Sequence, residues 1–274
     1  MNISEHTSNF IQEMERRNYS KNTIKNYSSC IQLFFYNSTK DHPKNINETD
    51  IKHFLHNLGE VNTQRNYHSA IKKFYEICLK QKDKFRYIPY AKKSHKLPII
   101  LSQDEVKKLI NACENLKHKA ILYILYSTGM RVGELINLKP QNIDSSRMII
   151  NIIGGKGNKD RQVMLDESVL KLLREYYECY KPKEYLFNGQ FTNQYSASSI
   201  RQFIKTYSEK AGLKKRVYTH LIRHCSFTHM VEQGTDINLI QQLAGHSNVK
   251  TTNIYTHISH NLISKIPSPV RAIA

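Results

Sequence analysis

The chain has 274 residues, room for one large domain or two modest ones that each bury a core. Apolar residues at 39% and charged residues at 23% exclude a disordered tail, and 41 Lys and Arg against 23 Asp and Glu, a formal charge of +18, point to a polyanionic partner, nucleic acid first. No apolar run approaches the ~18 residues of a membrane span, Met1–Phe10 has no signal-peptide core, and five scattered cysteines without a CxxC read as reduced side chains of a cytoplasmic protein, neither a disulfide frame nor a zinc knuckle.

The basic excess is spread along the chain: 14 basic and 9 acidic residues over 1–90, 27 and 14 over 91–274. Such a distribution favours a protein that embraces its partner. In the first ninety residues the apolar spacing predicts four helices. The first runs from Ser4 to Arg17 on Phe10, Ile11 and Met14. The second is capped at Asn22 and carries Ile24, Tyr27, Ile31, Phe34 and Phe35. A short third starts at Asn47 or Thr49 and stops at Gly59. The fourth starts at Asn62 and carries Tyr67, Ile71, Phe74, Tyr75 and Cys78. Arg86 to Pro98 then lose all periodicity, and Pro89, Lys92, Lys93, His95, Lys96 and Pro98 suit a basic linker lying along phosphates. The expected division is a helical domain over 1–88, a linker over 89–98 and a second domain over 99–274.

The second domain opens on a capping box, Ser102 with Glu105. A helix is expected from Lys119 to Thr128, ended by Gly129, and a short one from Arg131 to Leu138, closed by Pro140. Residues 147–153 and 161–165 read as strands around a Gly-rich turn, Gly154 to Gly157. Helices follow at Glu167 to Tyr180, Ser198 to Ala211, Thr219 to Gln233, Asp236 to Ala244 and about Thr251 to Ile263. The whole reads as mostly helical with a small sheet.

Several polar residues of this domain have no evident structural task. Arg131 follows Gly129-Met130 at a helix start, Lys156 sits in the hairpin turn, His220 and Arg223 share a helix face, His246 follows Gly245 just past a helix end, and Tyr255 lies nine residues on. Singly each has an ordinary explanation, as a cap, a solvated turn residue or one of 17 tyrosines. Together they suit a phosphodiester, and they lack the carboxylate cluster that would hold Mg²⁺. His220 and His224, four apart, have metal-ligand spacing but no HExxH carboxylate and no third ligand.

Order and spacing decide the matter. Ser127-Thr128-Gly129-Met130-Arg131-Val132-Gly133-Glu134-Leu135, Gly155-Lys156-Gly157-Asn158-Lys159-Asp160-Arg161, Thr219-His220-Leu221-Ile222-Arg223-His224, Leu243-Ala244-Gly245-His246-Ser247 and Thr252-Asn253-Ile254-Tyr255-Thr256-His257 resemble the tyrosine recombinase, or phage integrase, family, most closely its short Xer-like members. The resemblance is specific in the second domain and architectural in the first. It implies a two-domain clamp, a four-helix SAM-like core-binding domain plus a catalytic domain. It implies an active site of Arg131, Lys156, His220, Arg223 and His246 around the nucleophile Tyr255, with Glu134 supporting the first arginine. Lys159 competes with Lys156 for the lysine role, and Arg161 and His224 are neighbours of the site. No metal, ATP or other cofactor is expected. The implied partners are double-stranded DNA and three further protomers, in a homo-tetramer or a hetero-tetramer with a paralogue; no membrane is expected. The tail, His257 to Ala274, is expected to pack on a neighbouring protomer. Two other readings remain open at this stage: a DNA-binding protein of this fold without strand exchange, and a type IB topoisomerase-like enzyme.

Overall fold

A computed structural model describes residues 2–92, 99–155 and 160–245. The chain divides into two compact units, Met1–Lys96 and Leu97–Ala274. The expected helix at 251–263, the tail and residues 93–98 of the basic stretch lie outside the described residues.

The first unit holds four α-helices among its described residues: α1 (Ile3–Arg16), α2 (Lys21–Tyr36), α3 (Glu48–Asn57) and α4 (Val61–Ile77). Phe10 and Phe35 meet the ring of Phe74 edge-on at 5.6 and 5.0 Å, an arrangement that satisfies the quadrupoles of aromatic rings. Met14, Ile31, Ile51 and Ile71 fill the space around them, fully buried. The second helix is capped by Ser20, not Asn22: its hydroxyl accepts the Thr23 N–H at 3.2 Å. Asn47 and Asp50 close a reciprocal capping box on α3, each 2.9 Å from the other's backbone N–H. Beyond α4 the chain stays on this unit further than its pattern suggests. Ile88 is buried, its carbonyl accepts a hydrogen bond from His68 Nε2 at 2.7 Å, and Arg65 donates to the Ala91 carbonyl at 2.7 Å. Tertiary hydrogen bonds, which leave no periodic trace, hold residues 88–91 there.

The second unit contains α5 (Gln103–Asn111), α6 (Leu116–Thr128), α7 (Val132–Ile136), α8 (Glu167–Tyr180), α9 (Ala197–Lys210), α10 (Thr219–Glu232) and α11 (Ile237–Ala244). The Ser102–Glu105 capping box forms, at 2.7 and 3.2 Å. Helix α6 starts a turn before Lys119, because Asn115 Oδ1 accepts the His118 N–H at 3.1 Å. It is apolar on most sides and packs against both α8 and α10. The sheet is a three-stranded antiparallel meander, β1 (Ile143–Asp144), β2 (Ile149–Ile152) and β3 (Arg161–Met164), with Ile150 opposite Val163 and Ile152 opposite Arg161. Strand β1 is two residues long, too short for alternation to reveal it. Asp144 Oδ1 makes the β1–β2 turn by accepting the N–H groups of Ser146 and Arg147 at 3.1 and 3.0 Å.

His118 ties α6 to α9. Its Nδ1 and Nε2 lie 3.2 and 2.9 Å from the hydroxyls of Tyr207 and Tyr195, and its ring stacks on Phe203 with centroids 4.2 Å apart. Burial, then the charge of Lys117, lower its pKa to about 4, so the folded protein resists protonating it. The unfolded chain binds that proton near pH 6.5, so stability rises with pH between about 4 and 6.5 and is lost as pH falls through that window. The chain has no tryptophan, so urea unfolding followed by far-UV circular dichroism is the suitable measurement. The acid-side slope of the midpoint is expected to be shallower in His118→Gln than in the wild type.

Candidate active site

Helix α6 ends in a turn built by three adjacent residues. Thr128 Oγ1 donates to the Ile124 carbonyl at 2.7 Å and accepts the Met130 N–H at 3.2 Å. Gly129 takes a left-handed φ of 60° and caps the helix through its N–H to Leu125. A Cβ there would stand 2.5 Å from Phe227 Cζ, so backbone conformation and space both demand glycine. The turn delivers Arg131 to the start of α7. There its N–H donates to Glu134 Oε2 at 2.7 Å and its Nη1 to Oε1 at 3.0 Å.

Arg223 comes to the same turn from α10, one helical turn beyond His220. Its side chain is among the largest that the protein buries completely, at 1% exposure. Nη1 donates to the Gly129 carbonyl and Nη2 to the Ala244 carbonyl at 2.6 Å, while the guanidinium lies 4.7 Å over the Phe227 ring. Two carbonyls from separate helix ends thus hold this charge in place, and the negative end of the α11 dipole favours it there.

Arg161, the first residue of β3, completes the arrangement. Its Nη1 and Nη2 grip both oxygens of Glu134 at 2.8 and 2.7 Å, and its Nε donates to the Leu243 carbonyl at 2.8 Å. Gly245, at φ 59°, ends α11 against this side chain; a Cβ there would lie 3.3 Å from Arg161 Cδ. The contacts close a ring: Arg131 to Glu134, to Arg161, to the end of α11, to Arg223, to Gly129, and through Met130 back to Arg131. On the flank of the β2–β3 turn, the Gly154 N–H donates to Asp160 Oδ1 at 2.8 Å.

The electrostatics follow from burial among cations. Burial alone raises the Glu134 pKa, but hydrogen bonds from Arg161 and Arg131 and the Arg161 charge outweigh it and bring it down to about 2. His220 is lowered from 6.5 by burial of its ring and then by the charges of Arg223 and Arg131. His224, whose ring meets His220 edge-on at 4.6 Å, is lowered to about 4 by burial, His220 and Arg223. Among the described residues no three His, Cys, Asp or Glu side chains gather as metal ligands would.

Of the six residues singled out in the sequence, Arg131, His220 and Arg223 come together here; Lys156, His246 and Tyr255 lie outside the described residues. Arg161, read from the sequence only as a neighbour, is the link between Glu134 and α11. The one signal for it was strand alternation, which puts Arg161 on the same face as Val163 and Leu165, both buried. Substituting Gly129 by Ala is expected to destabilise the protein by about 2–4 kcal/mol, from left-handed strain plus overpacking against Phe227. Urea denaturation checks the value, and Gly129→Ala/Phe227→Leu is expected to recover only the steric share.

Residues 100–261 match the phage integrase family and residues 7–84 its N-terminal SAM-like domain. The chain is 35% identical over 266 residues to a putative integrase/recombinase, y4qK, of Sinorhizobium fredii, covering 94% of this chain and 86% of that protein. It is 33% identical over 260 residues to the tyrosine recombinase XerA of Pyrococcus horikoshii, covering 91% of this chain and 88% of the relative. In fold it is similar to the XerH site-specific recombinase in a post-cleavage complex on a palindromic difH substrate, with a TM-score of 0.76 at 23% identity over 91% of this chain and 80% of that one. With its first-arginine turn, its buried second arginine and matches spanning both units, the chain belongs to the phage integrase family and is a tyrosine recombinase of the Xer-like type.

Proposed function

We propose that the protein is a site-specific DNA recombinase that cleaves and rejoins strands through a 3′-phosphotyrosine intermediate. The observation that carries this reading is the convergence of Arg131, Arg223 and His220 around the Gly129 turn. A phosphodiester repels a nucleophile, and two guanidiniums held in advance lower that barrier without reorganising as charge builds on the nonbridging oxygens. Burial of its ring and the charges of Arg223 and Arg131 disfavour protonation of His220, which leaves it able to accept the proton of a tyrosine hydroxyl.

In this scheme Tyr255 Oη attacks phosphorus while His220 takes its proton. The bond to the 5′-oxygen breaks, and Lys156 protonates the leaving oxygen. His246 adds a donor to the phosphate. The protein–DNA link conserves the energy of the broken bond, so a 5′-hydroxyl from another strand reverses the step without ATP. The assignments of Lys156, His246 and Tyr255 rest on the motif positions they occupy. The partner is duplex DNA: basic residues are in excess in both halves of the chain, and the similar XerH structure is a complex with its difH substrate. The two domains, over 1–88 and 99–274, would clamp the duplex through the linker at 89–98. Exchange between two duplexes uses four active sites, hence a tetramer on DNA.

Wild-type protein is expected to form a covalent adduct with a nicked duplex carrying its site. Tyr255→Phe is expected to form none while binding the same DNA, and Arg131→Ala to form it at least ~10²-fold more slowly, the scale for losing one preorganised donor. Adducts in Tyr255→Phe would overturn the nucleophile assignment, and relaxation of plasmid lacking any site would favour the topoisomerase reading. Lys156→Ala is expected to cleave an ordinary phosphodiester very slowly and to recover when the bridging 5′-oxygen is sulfur, since a thiolate leaves without a proton. Arg131→Ala is expected to show little such rescue. Sulfur rescue of Lys159→Ala alone would move the acid three residues along the turn.

A further inference from the structure

We propose that Arg161 is a positioning residue for strand transfer, which frees the charge of Arg131 by neutralising Glu134 and locks that arginine to the turn that ends α11. The inference rests on the recombinase reading above and extends it to a residue that would touch neither phosphate nor nucleophile.

The argument begins with charge. Glu134 orients Arg131 through both its N–H and Nη1. A lone carboxylate in that place would also cancel the positive charge that the phosphate needs. Arg161 supplies a second guanidinium, so the trio of Arg131, Glu134 and Arg161 carries a net single positive charge. Each Glu134 oxygen accepts one bond from Arg131 and one from Arg161, at 2.7 to 3.0 Å, and the side chains of Glu134 and Arg161 are only 7% and 10% exposed. Burial of the Glu134 and Arg161 side chains weakens solvent screening, so the balance of charges matters more than it would on a surface.

The second part is geometry. The terminal nitrogens of Arg161 grip the carboxylate as a planar fork while Nε, on the same rigid group, holds the Leu243 carbonyl. Leu243 and Ala244 form the last turn of α11, and Ala244 receives Arg223. Gly245, the residue before His246 in the chain, packs against the Arg161 stem. Arg131 and the end of α11 therefore cannot shift independently. A lysine supplies the charge but not the three-point grip. A glutamine supplies hydrogen bonds but not the charge. The two roles are thereby separable.

The test is single-turnover adduct formation at saturating nicked duplex for the wild type, Arg161→Lys, Arg161→Gln, Glu134→Gln and the double Glu134→Gln/Arg161→Gln. Arg161→Gln is expected to slow cleavage by about 30-fold or more with DNA affinity within about threefold, because the loss falls on a preorganised charge and not on the binding surface. Arg161→Lys is expected to regain a substantial part of that rate. The double variant is expected to be no slower than the slower single one, since both act through one trio. Equal rates for Lys and Gln, a Gln variant near wild type, or multiplying losses in the double would overturn the proposal. A readout independent of cleavage is the carboxyl signal of Glu134 in ¹³C NMR. Among the described residues the charged groups that act on it are Arg131, from the start of its own helix, and Arg161, from β3; the Leu243 carbonyl of α11 accepts from Arg161. The carboxyl is expected to stay ionised at pH 4 in the wild type and to be substantially protonated there in Arg161→Gln; full ionisation in the variant would overturn the proposal even if the wild type forms no adduct. Absence of the wild-type adduct with Glu134 behaving as expected would count against the recombinase reading alone.

Discussion

Glu134, buried between Arg131 and Arg161, is the interaction on which the catalytic unit depends. A carboxylate in a dry interior is costly unless its lone pairs are filled and its charge matched. Here both requirements are met by residues from different elements, one at the start of α7 and one at the start of β3. The same ring of contacts passes through the end of α11 and through Arg223 to Gly129. Two glycines follow from it. Gly129 leaves room for Phe227, the ring beneath Arg223, and Gly245 leaves room for the stem of Arg161.

The surroundings explain how a protein tolerates a fully buried arginine. Helix α10 is enclosed along most of its length, with Leu221, Ile222, Cys225, Phe227 and Val231 buried beside Arg223. Carbonyl oxygens at two helix ends and an aromatic face accommodate its charge. The cost appears on its neighbours: His220 and His224, on the same face, both hold protons less readily than a free imidazole. In the proposed mechanism this cluster would offer an anion site beside a histidine that binds its proton weakly.

The helical unit is organised by other means. Its core is aromatic and edge-packed, its helices are started by Ser20 and by the Asn47–Asp50 box, and Arg65 and His68 use backbone carbonyls to hold the segment after α4. Caps are short-range signals. The capping box at Ser102 and the helix-ending Gly129 were plain in the sequence, whereas the start of α6 went unread because an asparagine cap three residues from a histidine has no periodic signature. Strand β1 was hidden for a similar reason: two residues cannot alternate.

The sequence by itself determined the helical character of both units, the β2–β3 hairpin, the family and the joint selection of Arg131, His220 and Arg223, because those features are written in local periodicity, caps and linear spacing. The tertiary structure alone decided that Arg223 is buried and held by the carbonyls of Gly129 and Ala244. It alone decided that Arg161 joins Glu134 to α11. These bonds bridge 21 to 94 positions of chain and end on backbone oxygens or on the Glu134 carboxylate. A residue's partner across such separations is set by how the elements pack, and packing depends on all of their buried faces at once.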